Sequence, residues 1–128
     1  MKKSPGLRIL VVDDESLIRW SIAATLEQTG CQVAEAGTAK EALQRLSEGP
    51  APDVILLDYR LPDSNDLTLL ESITQAVPNS PVIMMTAYGT SDVVAGAAKL
   101  GAYRVLTKPV EMRDLAPLVE QACSSCLL

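Results

Sequence analysis

Three carboxylates, one hydroxyl and one ammonium stand at equivalent points along this chain, each where a short apolar run stops. Asp13 and Asp14 follow residues 7–12, Asp58 follows 54–57, Thr86 follows 81–85, and Lys108 follows 102–107. Carboxylates brought together repel one another, so some would hold protons unless a cation shares the site. Lys108 supplies one charge. The remaining oxygen-only donor set suits Mg²⁺, which keeps several waters and takes one or two carboxylates plus a phosphate. With no His in the chain and no Cys beside these positions, zinc is not expected. A carboxylate next to such a cation can attack a phosphoryl group and form an acyl phosphate, with Thr86 and Lys108 holding the transferred oxygens. Taken singly, each residue has an ordinary structural use: Asp14 as a helix cap, Asp58 as a turn opener, Thr86 as a strand-end hydroxyl, Lys108 as a solvated charge. It is the agreement of four strand ends that points to a site.

That agreement depends on the elements that carry the residues. The runs 7–12, 54–57 and 81–85 are nearly continuous in apolar residues, as strands buried on both faces require. Residues 32–36 alternate with polar side chains and read as a weaker strand at the sheet edge. Residues 102–107 make a fifth strand. Between them lie helical patterns. One runs from the acidic cap region 13–16 to about Gln28, with Leu17, Ile18, Ile22, Ala23 and Leu26 in period and Gly30 as its stop. A second is capped by Thr38 and carries Ala42, Leu43 and Leu46 inward. A third spans about 66–76 on Leu67, Leu70 and Ile73. A fourth, 92–100, is capped by Thr90 or Ser91, is Ala-rich with Gly96 inside, and is expected to be the least stable. The fifth starts near Glu111 and carries Leu115, Leu118, Val119 and Ala122. Five βα units predict an α/β fold, a doubly wound five-stranded parallel sheet with five helices and the flavodoxin-like order 2-1-3-4-5. In such a sheet every strand C-terminus lies on one edge, so Asp13, Asp14, Asp58, Thr86 and Lys108 converge.

A chain of 128 residues with 48% hydrophobic and 21% charged content fits one domain, read as 1–128 with a core of about 7–122 and tails at 1–6 and 123–128. With one Trp, three Tyr and no Phe, its core must be aliphatic. The net charge of −5 and the lack of a basic run beyond Lys2-Lys3 argue against direct nucleic-acid binding by this domain. No stretch is long and apolar enough for a membrane span. Three cysteines give no disulfide framework, which suits a reducing cytoplasm. Cys123 and Cys126 form a C-x-x-C at the end of a helix, where no helix N-terminus lowers a thiol pKa; they are expected to be tail residues.

The ordered set resembles the receiver domain of bacterial two-component response regulators over about residues 7–122. The acidic pair in Val11-Val12-Asp13-Asp14-Glu15, Asp58 in Leu57-Asp58-Tyr59-Arg60-Leu61-Pro62, Thr86-Ala87 and Lys108-Pro109 carry the likeness. The resemblance implies a signalling switch and not an enzyme with an external substrate. Asp58 would be the phospho-acceptor, and Asp14, Asp58 and the backbone carbonyl of Arg60 would ligate Mg²⁺, with Asp13 acting through water. The donor would be a phosphohistidine on a sensor histidine kinase. The readout would be a shift in the surface of helix four, strand five and helix five, acting on an output domain or partner in transcription, with a possible homodimer through the same surface. Tyr88, Tyr103, Arg104 and Arg113 are candidates there. Ser16 to Trp20 also resembles the receivers of nitrogen-regulation-type activators that work with sigma-54 polymerase.

Three positions depart from the family pattern. Val105 stands where a switch Tyr or Phe is usual; Tyr103 lies two residues earlier on the same strand face, which leaves open whether it takes over that role. Val110 stands where Phe is usual after Lys-Pro, and Asp66 where a loop Gly is usual. Rival classes fit less well. A haloacid-dehalogenase-type phosphatase wants an acid two residues after its nucleophile, where this chain has Arg60. A flavin module wants a phosphate loop after strand one, where this chain has two acids.

Overall fold

A computed structural model of the chain describes residues 6–87 and 89–126. Tyr88, expected on the output surface, lies outside the described residues. Five parallel strands, β1 (Arg8–Val12), β2 (Gln32–Ala36), β3 (Val54–Asp58), β4 (Val82–Thr86) and β5 (Arg104–Thr107), form one sheet in the order β2-β1-β3-β4-β5. They alternate with α1 (Ser16–Glu27), α2 (Ala39–Glu48), α3 (Thr68–Ala76), α4 (Ser91–Lys99) and α5 (Met112–Cys126). The doubly wound flavodoxin-like order anticipated from the βα alternation is the one observed.

The unbroken apolar runs have a direct cause in the pleat, because successive side chains leave a strand on opposite faces. Ile9, Val11, Val54, Leu56, Ile83 and Met85 enter the cluster under α1 and α5. Leu10, Val12, Ile55, Leu57, Val82 and Met84 enter the cluster under α2, α3 and α4. Both faces are therefore covered in the centre, and β2 at the edge shows the expected exposed positions.

Several local expectations need correction. The acidic residues before α1 do not cap it with a side chain: its N-cap is Glu15, which makes no such bond. Asp13 instead uses one oxygen to accept from the Glu15 N–H at 2.9 Å. Ile22, Ala23 and Leu26 are buried as read, but Leu17 is 75% exposed, while its neighbour Ile18 packs against the core. Trp20 is also exposed, at 62%. In α2, Ala42 takes the buried position and Leu43 turns out to solvent. Thr38 does cap α2, its hydroxyl accepting from the Glu41 N–H at 3.0 Å, and Thr90 caps α4 through Val93 at 3.3 Å. The helix α5 runs on to Cys126, so Cys123 is not in a tail. It is half-buried against the α1/α5 cluster, with Pro117 accommodated inside the same helix.

Candidate functional site

The register of the sheet sets the site. Val12 pairs with Leu57, so the next residues, Asp13 and Asp58, leave their strands at the same level. Asp58 pairs with Met85, and Thr86 with Thr107, which places Thr86 and Lys108 one step further along the same edge. The pleat then sorts the side chains. Val11, Leu56 and Leu106 face α1 and α5, and two residues later each strand delivers Asp13, Asp58 and Lys108 on that same side.

Their side chains meet. The Lys108 Nζ donates to Asp13 Oδ2 and Asp58 Oδ2, each at 3.0 Å, and to Glu15 Oε1 at 3.2 Å. Asp13 is wholly buried and Asp58 is 6% exposed. Both have their second oxygen engaged, Asp13 by the Glu15 N–H and Asp58 by the Arg60 N–H at 3.2 Å. Asp14 is exposed. One oxygen each from Asp13, Asp14 and Asp58 nevertheless fit within 4.8 Å of one another. Among the described residues, no buried side-chain nitrogen or oxygen lacks a hydrogen-bond partner.

The electrostatics are unbalanced. Burial pushes the Asp58 carboxyl up to about 6, and the nearby Asp13 charge adds to that, while the hydrogen bond from Lys108 only partly opposes them. On Lys108, burial pulls the ammonium's pKa down. The bonds to Asp13 and Asp58, with their charges, outweigh this and raise it. One ammonium thus serves three carboxylates while Asp14 adds a fourth at the rim. The observation that bears on a metal is geometric: Asp13, Asp14 and Asp58 bring an all-oxygen donor set together at one rim of the sheet. Three carboxylates with one member, Asp14, exposed to solvent are a donor set of the type that suits Mg²⁺.

Of the residues expected from sequence, Asp13, Asp14, Asp58 and Lys108 come together. Thr86 is buried on the adjoining strand end, and its carbonyl accepts from the Lys108 N–H at 2.8 Å. Arg60 adjoins through its N–H on Asp58. The Lys108–Pro109 bond is cis. Tyr103 does not join them, and it does not share a face with Val105. The strand begins only at Arg104, so Tyr103 lies before the regular pleat; it packs against the α1/α5 cluster, whereas Val105 packs against the opposite one. Its N–H bonds to Val82, at the far end of β4 from Thr86. Beside Lys108, an apolar cleft of about 370 Å³ opens between α1 and the start of α5, lined in part by Ile18, Ile22, Met85, Val110 and Met112.

Two contributors were missed from sequence. Glu15 is the third acceptor for Lys108, visible beforehand only as an acid beside the pair. Asp63, in the loop after β3, is the other: its two oxygens accept from the Ala39 and Lys40 N–H groups at 2.8 and 3.1 Å. It thereby ties the loop after β3 to the first turn of α2, and these bonds lower its pKa.

Comparison with known proteins agrees with this geometry. Residues 9–120 match the response regulator receiver domain family. The chain is 42% identical over 115 residues to the response regulator protein PilR of Pseudomonas aeruginosa, covering 90% of this chain and 26% of PilR. It is 38% identical over 116 residues to the DNA-binding transcriptional regulator NtrC of Escherichia coli K12, covering 91% of this chain and 24% of NtrC. It therefore spans about a quarter of the length of these relatives. Among solved structures, a CheY-like response regulator receiver domain protein from Methanospirillum hungatei superposes with a TM-score of 0.90 at 31% identity, covering 97% of this chain and 98% of that one. The receiver domain of NtrX from Brucella abortus gives 0.83 at 34% identity, covering 91% and 98%.

Proposed function

The chain belongs to the response regulator receiver domain family, and from that premise we propose that it is a phospho-accepting switch with Asp58 as the acceptor, working as one domain across 1–128. The observation that carries this is the Asp58 carboxylate, buried at the sheet edge, bonded to Lys108 at 3.0 Å and within reach of Asp13 and Asp14. An oxygen of ionised Asp58 attacks the phosphorus of a phosphohistidine on a sensor histidine kinase. The P–N bond breaks as the P–O bond forms, and the imidazole leaves. With a carboxyl pKa of about 6, Asp58 is mostly ionised at neutral pH and ready to act.

Mg²⁺, when bound, supplies positive charge to the phosphoryl oxygens and to the carboxylates around them. Asp14, Asp58 and the Arg60 carbonyl would hold it, with Asp13 acting through water, as in the family the chain belongs to. Lys108 releases part of its hold on Asp58 to bond a phosphoryl oxygen, and the Thr86 hydroxyl takes another. Since Lys108 N–H is bonded to the Thr86 carbonyl, movement at β4 is passed to the start of α5. The responding surface is then α4, β5 and α5. The small buried Ala97 and the internal Gly96 leave α4 lightly anchored, which suits a two-state element. Arg104 and Arg113 are exposed on this surface, where an output domain or a second copy would dock. Without a ring at Val105, the readout rests on Thr86 and the α4 shift.

The likeness to PilR and NtrC supports control of transcription, of the sigma-54 activator type, as the output, and a cytoplasmic setting follows from the kinase partner. No described helix is long and apolar enough to cross a membrane. The chemistry is testable by trapping. After treatment with acetyl phosphate and Mg²⁺, hydroxylamine should convert the acyl phosphate to a hydroxamate in the peptide that contains Asp58. A hydroxamate elsewhere, or none, contradicts the assignment.

A further inference from the structure

Arg19 lies outside the donor set and outside the apolar stripe of α1, yet it is bonded into the acidic loop. Its Nη1 donates to the Asp13 carbonyl at 2.7 Å, and its Nε donates to Glu35 Oε1 at 3.0 Å on the edge strand β2. The side chain is only 21% exposed. Asp13 is gripped on its other side as well, its N–H donating to the Ala36 carbonyl at 3.0 Å. The peptide groups on both sides of Asp13 are therefore fixed, one by the sheet and one by a guanidinium that is itself anchored to the sheet. The carbonyl that Arg19 holds belongs to the peptide bond leading into Asp14.

Gly37 supports the same arrangement. A Cβ on Gly37 would stand 3.1 Å from Arg19 Nη1, so the absence of a side chain there lets the guanidinium lie over the strand end. Glu41 holds that glycine in place, accepting from its N–H at 2.7 Å.

Resting on the magnesium reading above, we infer that Arg19, seated over Gly37, is a positioning residue that sets the Asp13–Asp14 loop for the metal. Asp14 is exposed and has no bond to Lys108, so its carboxylate depends on the backbone for its placement. Partners of this kind behind a metal site are worth about 10- to 100-fold in metal affinity. Lysine would not substitute fully, because a single ammonium lacks the fork that reaches the carbonyl and the carboxylate at once.

The test is Mg²⁺ titration calorimetry on the 128-residue chain and on Arg19→Ala, Arg19→Lys, Gly37→Ala and the Arg19→Ala/Gly37→Ala double variant, with thermal unfolding measured without metal. Arg19→Ala should weaken Mg²⁺ binding by about tenfold or more, and Arg19→Lys should recover only part of that. Gly37→Ala should shift affinity in the same direction by a smaller factor. The double variant should be no weaker than Arg19→Ala alone, since both changes act through one guanidinium. A lower unfolding temperature with unchanged Mg²⁺ affinity in Arg19→Ala would overturn the inference, as would additive losses in the double variant. A wild-type chain that takes up no Mg²⁺ would overturn the magnesium reading and this inference with it.

Discussion

Replacing Asp58 with Asn should stabilise the metal-free domain at neutral pH, although it removes a hydrogen-bonded buried acid. The carboxyl titrates near 3.8 when unfolded and near 6 when folded, because it is buried and faces Asp13. Between those values the folded state binds more protons, so stability falls as pH rises through the window and levels off above it. A difference of about two units, at about 1.4 kcal/mol each, sets a ceiling of about 3 kcal/mol on the cost of ionising Asp58 in the folded state. Asn keeps a carbonyl that can accept from Lys108, and Lys108 retains Asp13 and Glu15 as partners. Losing the charge-assisted bond returns part of the gain, leaving about 1–2 kcal/mol, or about 3–8 °C in unfolding temperature for a domain of this size. Thermal unfolding followed by circular dichroism, in chelator and at intervals from pH 4.5 to 7.5, would measure it. The variant's advantage should grow from pH 4.5 to about 6.5 and then stay constant, and millimolar Mg²⁺ should narrow it by stabilising the wild type. A variant less stable than wild type at pH 7, or an advantage that does not change with pH, would refute the reasoning.

Lys108→Ala should act in the opposite direction, lowering stability by about 2–4 kcal/mol at pH 7 in denaturant titration, because Asp13 and Asp58 stay buried without their ammonium. Trp20→Ala should change stability by less than about 0.5 kcal/mol, as its exposure indicates, and a larger loss would show that it packs in the fold. Thr38→Ala removes the hydroxyl that accepts from Glu41 and should cost about 1 kcal/mol, read from the denaturation midpoint. Gly96→Ala gains up to about 1 kcal/mol of helix propensity. Its Cβ would meet Leu67 Cδ1 at 2.6 Å, a flexible tip that can turn aside. The net should lie between zero and that gain, and amide exchange in α4 should slow.

The strands and their edge were legible in the sequence because burial on both faces forces unbroken apolar runs, and each such run stops at a polar residue. Asp13, Asp58, Thr86 and Lys108 were readable for that reason. The same rule failed for Tyr103, since a period of two applies only within the strand, and β5 starts one residue later. Leu17 fits the helical period of α1 and is nevertheless exposed, because Ile18, Ile22 and Leu26 already supply the face that meets the core. Arg19, Glu15 and Asp63 were invisible for another reason. Their partners are a backbone carbonyl, a lysine 93 residues away and two amides on another helix, and only the folded chain brings these together.

The most direct test of the account is intact mass spectrometry of the wild type and Asp58→Asn after incubation with acetyl phosphate, with Mg²⁺ and with chelator. One phosphoryl group should add to the wild type in Mg²⁺, and none to the variant or in chelator. An adduct that forms equally in Asp58→Asn, or a wild type that takes none under any condition, would contradict the assignment of Asp58 as the acceptor.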